Sequence, residues 1–176
     1  MSRSLFSAKP ARTMTWALVG LGAAALAASG PAILRSLEGV SFRPHAPDWA
    51  LFLGLPLQIQ VHVLAAVAAL ALGTIILALP KGRGPHKALG WSWVVAMATT
   101  AASSLFITGL NGDFYSAIHL LTGWTLIALP MAVVAIRKRN VMTHRRIMTG
   151  LYIGGLLLAG LFSFIPGRFM FEFLFG

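Results

Sequence analysis

Cysteine is missing from the 176 residues, and acidic side chains are scarce, with four Asp and Glu against fourteen Lys and Arg. The first absence excludes disulfides, thiolate metal sites and thiol nucleophiles together, leaving histidine as the only strong nitrogen ligand. Charged residues make up 10% of the chain, where a soluble domain carries roughly a quarter, so a water-soluble globule is excluded. No Walker, dinucleotide-binding or zinc-protease pattern occurs. No carboxylate falls inside a long apolar run, which argues against proton pumps and cation-coupled transporters built on buried acids.

What the chain does have is apolar surface: 57% of its residues are hydrophobic and its mean hydropathy is +0.80. Runs long enough to cross a hydrocarbon core of roughly 30 Å lie at residues 14–34, 61–80, 88–110, 117–136 and 147–165. They lack the period-two alternation of barrel strands, and backbone amides in lipid must bond within their own segment, so each is expected to be a helix. The expected fold is an all-α integral membrane protein with five transmembrane helices.

Around these runs the chain divides into an N-terminal segment (1–13), a first helix (14–34), a loop with an interfacial stretch (35–60), a four-helix core (61–165) and an interfacial tail (166–176). The loop carries Trp49, Phe52, Pro44, Pro47 and Pro56, and the tail runs Phe169-Met-Phe-Glu-Phe-Leu-Phe175, too short to span. The first run, with basic residues before Met14 to Ala28 and small residues at Leu26-Ala-Ala-Ser-Gly30, also resembles a cleavable signal peptide. A retained helix is the favoured reading, and the other four helices keep their orientation either way.

The formal net charge of +10 is distributed by topology, with no soluble domain to make it a nucleic-acid surface. Arg3, Lys9 and Arg12, then Lys81, Arg83 and Lys87, then Arg137, Lys138, Arg139, Arg145 and Arg146 fall in alternate connections and hold eleven of the fourteen basic residues. The intervening segments hold Arg35, Arg43, Arg168 and all four acids, Glu38, Asp48, Asp113 and Glu172. By the positive-inside rule the N-terminus is cytoplasmic and the C-terminus lies outside, in a bacterial inner membrane.

The core repeats itself at an offset of 57 to 58 residues, His62 matching His119 and His86 matching His144. Phe106-Ile107 and Gly109 follow His86 at the same distances as Phe164-Ile165 and Gly167 follow His144. The core therefore reads as two copies of a helical hairpin. At 1.5 Å per residue, His62 and His119 fall at the outer face and His86 and His144 at the inner face, giving two potential His/His sites. Pro85 and Thr143 are plausible start signals for the third and fifth helices. The positive helix ends, with Lys87, Arg145 and Arg146, favour neutral imidazoles at the inner face.

The stretches Leu79-Pro-Lys-Gly-Arg-Gly-Pro-His-Lys-Ala-Leu-Gly-Trp91, Ile118-His119 and His144-Arg-Arg-Ile-Met148 resemble a widespread bacterial family of predicted membrane proteins, domain of unknown function 2306. That resemblance covers about residues 60 to 168 and implies the membrane class without an activity. The order His62, His86, His119, His144 is also similar to that of diheme cytochromes b of the ascorbate-reducible type, where the first histidine pairs with the third and the second with the fourth. The chain departs from that pattern in placing its histidines nearer the helix ends and in lacking the family's other motifs.

Haem b, in up to two copies, is the expected cofactor, with His62, His119, His86 and His144 as candidate iron ligands and a quinone or another membrane redox subunit as partner. Gly73, Ala96, Gly123, Gly150, Gly154 and Gly155 would admit a ring edge, and Trp91, Trp93, Trp124 and Phe106 would pack on it. The expected function is that of a b-type cytochrome-like electron carrier. Two alternatives stay open: a cofactor-free accessory or assembly subunit, in which the histidines are interfacial groups or interhelical hydrogen-bond donors, and a small-solute transporter with helices kinked at Pro56 and Pro130. His45, outside the repeat, reads as solvated or interfacial. Oligomeric state is not legible.

Overall fold

A computed structural model describes Gly20, residues 43–107 and residues 117–176. The first expected helix lies outside the described residues, except for Gly20, which is helical. The described chain forms α1 (Trp49–Leu53), α2 (Leu57–Ala78), α3 (Gly84–Ser104), α4 (Ala117–Arg137), α5 (Val141–Phe162) and α6 (Phe169–Phe175). No strand occurs among the described residues.

Helix boundaries follow local chemistry. Asp48 caps α1, its Oδ1 accepting the Leu51 N–H at 2.9 Å. Pro85 stands in the first turn of α3, where its missing N–H has no intrahelical partner to lose. Pro56 stands at the start of α2 and so does not kink it, whereas Pro130 is interior to α4. α4 ends in a Schellman turn: Arg139 adopts a left-handed φ of 58°, its N–H donates to Ile136 O, and the Asn140 N–H donates to Ala135 O. Asn140 at once caps α5, its Oδ1 accepting the Thr143 N–H at 3.1 Å. The fifth helix, expected to open at Thr143 ahead of its apolar run from 147, thus begins two residues earlier, at Val141, and Arg145 and Arg146, counted with the connection by charge, are helical.

The four long helices close into a ring. α2 packs on α3, α3 on α4, α4 on α5, and the middle of α5 returns to α2. That middle, Leu151–Leu158, is wound as a π-helix, an irregularity with no counterpart in the sequence reading. The core is Ala69, Trp93, Met97, Ala128, Leu129, Ala132, Ile147, Leu151, Tyr152 and Leu156. Outward faces stay apolar, with Leu64, Val67, Ile75, Val95, Ile127 and Leu161 all exposed. Such a bundle is solvated by lipid on the outside and by itself within.

Three helices, α2, the His119–Arg137 part of α4, and α5, are long and apolar enough to cross a membrane. α3 has the length but spends positions on His86, Lys87, Ser92, Thr99, Thr100, Ser103 and Ser104. At one end of the bundle α1 and α6 meet: the His45 N–H donates to Leu174 O and the Asp48 N–H to Phe173 O, both at 3.1 Å. Trp49 packs edge-on against Phe52 and Phe173, and Phe169 stacks on Phe173. We call this the aromatic end, and the opposite one, carrying the α2–α3 and α4–α5 turns, the basic end.

Candidate functional site

At the aromatic end His62, on α2, reaches the last turn of α3. Its Nδ1 lies 2.9 Å from Thr100 O and 3.2 Å from Ser103 Oγ. A carbonyl only accepts, so the proton is on Nδ1 and the lone pair is on Nε2. Ser103 sends its own hydroxyl proton back to Thr99 O at 2.7 Å. Next to it Ser104 Oγ and Thr122 Oγ1 bond at 2.7 Å, joining α3 to α4 three residues after His119. His119 is half-buried with its Nε2 inside the protein. Polar groups from α2, α3 and α4 therefore gather at this end of an otherwise apolar bundle.

The basic end repeats the arrangement on other helices. His144, in the first turns of α5, donates its Nδ1–H to Ala132 O of α4 at 2.9 Å, which again leaves Nε2 with the lone pair. His86, in the first turn of α3, is held below the usual histidine range by burial first, then by the Lys81 ammonium and by His144. The neutral imidazole expected there from the sequence is thus supported for His86, although the cation responsible is Lys81 rather than Lys87, Arg145 or Arg146. His144 also lies near enough to His86 to act on it electrostatically. Lys81 itself caps α2, its Nζ donating to Ile76 O and Leu77 O at 2.7 Å and to Leu79 O at 3.0 Å.

Between the two ends the bundle is filled. Gly73 lets α5 and α3 press onto α2: a Cβ there would stand 2.5 Å from the Tyr152 ring and 2.9 Å from Trp93 Nε1. Tyr152 OH and Thr74 Oγ1 bond at 2.7 Å beside this contact. Gly155 likewise faces Met97, whose Cε would lie 3.2 Å from an added Cβ. Of the aromatic residues expected around a ring, Trp93 is in the core and Trp124 packs against it, while Trp91 and Phe106 are 53% and 70% exposed and face outward. His45 is exposed at the aromatic end, with Nδ1–H donating to Ala46 O. No group of three or more His, Asp or Glu suited to a metal ion occurs among the described residues.

Apolar helices of membrane-crossing length, an apolar outer face and an apolar core define a polytopic helical membrane protein. The chain belongs to the family described as Predicted membrane protein (DUF2306), whose model matches residues 59–174. No curated protein and no solved structure matches the chain.

Proposed function

We propose that the protein is a b-type cytochrome-like electron carrier, with His62 and His119 as haem ligands at the aromatic end and His86 and His144 at the basic end. The observation that carries this reading is the engagement of His62 and His144. Each donates Nδ1–H to a backbone carbonyl of another helix, at 2.9 Å, and keeps the Nε2 lone pair. This is the arrangement that orients a ligating imidazole and raises its basicity. A second histidine stands at each end, and imidazole pairs from separate helices are the donor set a six-coordinate haem iron needs. Haem, when bound, supplies reversible one-electron chemistry. The chain's own contribution is to orient the imidazoles and to exclude water from the apolar bundle. A quinol or another membrane redox subunit is the fitting partner, reached at the polar cluster of His62, Ser103, Ser104 and Thr122.

The same reading takes α3 as a fourth crossing of the core. α1 precedes the bundle and α6 follows it, yet they hydrogen-bond to each other, so the chain makes an even number of passes in between. The three apolar helices need α3 to complete that count. Local structure also favours a duplicated hairpin: Phe106 and Ile107 close α3 with bonds to residues three back, as Phe164 and Ile165 close α5. With a retained helix over 14–34 the protein has five crossings, and the positive-inside rule puts the basic end in the cytoplasm of a bacterial inner membrane.

An optical spectrum of protein purified after haem-replete expression tests the proposal. A Soret band with sharp reduced α and β bands is the expected result. His62→Ala should remove one haem and spare the other, and His144→Ala should do the converse. A bundle that folds yet shows no haem absorbance overturns the redox reading in favour of the cofactor-free accessory subunit. In that case the interhelical hydrogen bonds of His62 and His144 are structural.

A further inference from the structure

We infer that the basic end carries a binding site for an anionic glycerophospholipid along α3, with the headgroup phosphate between Arg83 and Lys87 and an acyl chain running over Trp91 and Val95. Lys87, Trp91 and Val95 recur at intervals of four and stand in one row up the helix, and Arg83, the extended N-cap residue, immediately precedes its first turn. All four are exposed, Trp91 by 53% and Val95 by 62%. In order from the basic end the row reads cation, cation, aromatic ring, branched aliphatic. That is the order a phospholipid presents from phosphate through the interface to its chain. Lys81 is spent on the carbonyls of α2, which leaves Arg83 and Lys87 as the cations of this face.

Electrostatics calls for an outside anion. The other turn at this end adds Arg137-Lys-Arg139, and Arg145 is exposed a turn into α5. The α3 and α5 N-termini add their positive dipole ends. The described acids, Asp48 and Glu172, are at the opposite, aromatic end. Cations concentrated in this way, with no carboxylate among them, are stabilised by a phosphodiester at the bilayer surface. A free phosphate would satisfy the charges but would leave the Trp91 and Val95 part of the row unused, and a zwitterionic phospholipid would fill that part but bring its own cation to Arg83 and Lys87.

Native mass spectrometry of the full chain released from vesicles of equal phosphatidylglycerol and phosphatidylcholine reads the preference directly. Phosphatidylglycerol should be retained over phosphatidylcholine. Each basic residue near such a surface contributes about fivefold, so Arg83→Gln with Lys87→Gln should cut the preference roughly 25-fold. Trp91→Ala, which keeps both charges, should weaken retention of either lipid, and Arg168→Gln at the aromatic end should change nothing. Equal retention of the two lipids by the unaltered chain overturns the proposal. So does a preference that survives the Arg83 and Lys87 substitutions, or one abolished by inorganic phosphate at millimolar concentration, which would identify a free-phosphate site.

Discussion

At the scale of single residues, two positions decide how closely the helices approach and how one end responds to pH. Gly73 has no room for a methyl group, because the Tyr152 ring and the Trp93 indole already occupy the place of its Cβ. Gly73→Ala must therefore push α5 and α3 away from α2, an overpacking that costs about 1 to 3 kcal/mol. Denaturation in mild detergent should show that loss, while Gly123→Ala, where nothing stands within 4 Å, should be nearly neutral. His86 lies just outside the apolar stretch that begins at residue 88. Its folded pKa is below the ordinary histidine value of 6.5, so the unfolded chain binds its proton more readily. The resulting stability is complete above about pH 6.5 and is lost as the pH falls below it. Melting temperature of the haem-free protein followed from pH 7.5 to 5 should drop across that window, and His86→Gln should flatten the drop.

At the scale of elements, the short α4–α5 turn combines two devices within a few residues. Arg139 ends α4 in a left-handed conformation that glycine adopts more readily, and Asn140 begins α5 by accepting the Thr143 N–H. Asn140→Ala should cost about 1 kcal/mol by removing the cap. Arg139→Gly should be neutral to stabilising, and the pair compared by thermal denaturation separates the two devices. This element also marks where the sequence stops being readable. α2 and α4 were legible from their apolar runs, and the start of α3 from Gly84-Pro85. The start of α5 was legible only to within two residues: Thr143 stood out as a start signal, but the cap is Asn140, which directly follows the charged Arg137-Lys-Arg139. The π-helical turns of Leu151–Leu158 have no residue code of their own and arise where α5 meets α2, α3 and α4.

The inward faces were hidden for a different reason. In water an apolar residue points to the core, but in lipid both sides of a helix are apolar, so hydrophobicity does not tell Trp93, which is buried, from Trp91, which faces outward. The histidines escaped this ambiguity because a polar ring in a membrane needs a partner. Their positions at the two ends followed from spacing along the chain, but their hydrogen-bond acceptors, Thr100 O and Ala132 O, did not, since backbone carbonyls carry no sequence signal.

At the scale of the whole molecule, the contact between α1 and α6 makes a claim about topology that the missing cysteine allows to be tested cleanly. If the aromatic segments meet at one membrane face and the two basic turns lie at the other, single cysteines at Trp49 and Phe173 must share one accessibility and a cysteine at Lys138 the opposite one. The chain has no cysteine of its own, so a membrane-impermeant maleimide reports each site without background. In intact spheroplasts Trp49→Cys and Phe173→Cys should label and Lys138→Cys should label only after permeabilisation, as the excess of Lys and Arg around the basic turns requires. Were Trp49 and Phe173 to label from opposite faces, α3 would not cross, the four-helix ring would be cut open, and the histidines of α2 and α5 would no longer sit at opposite surfaces of one bundle.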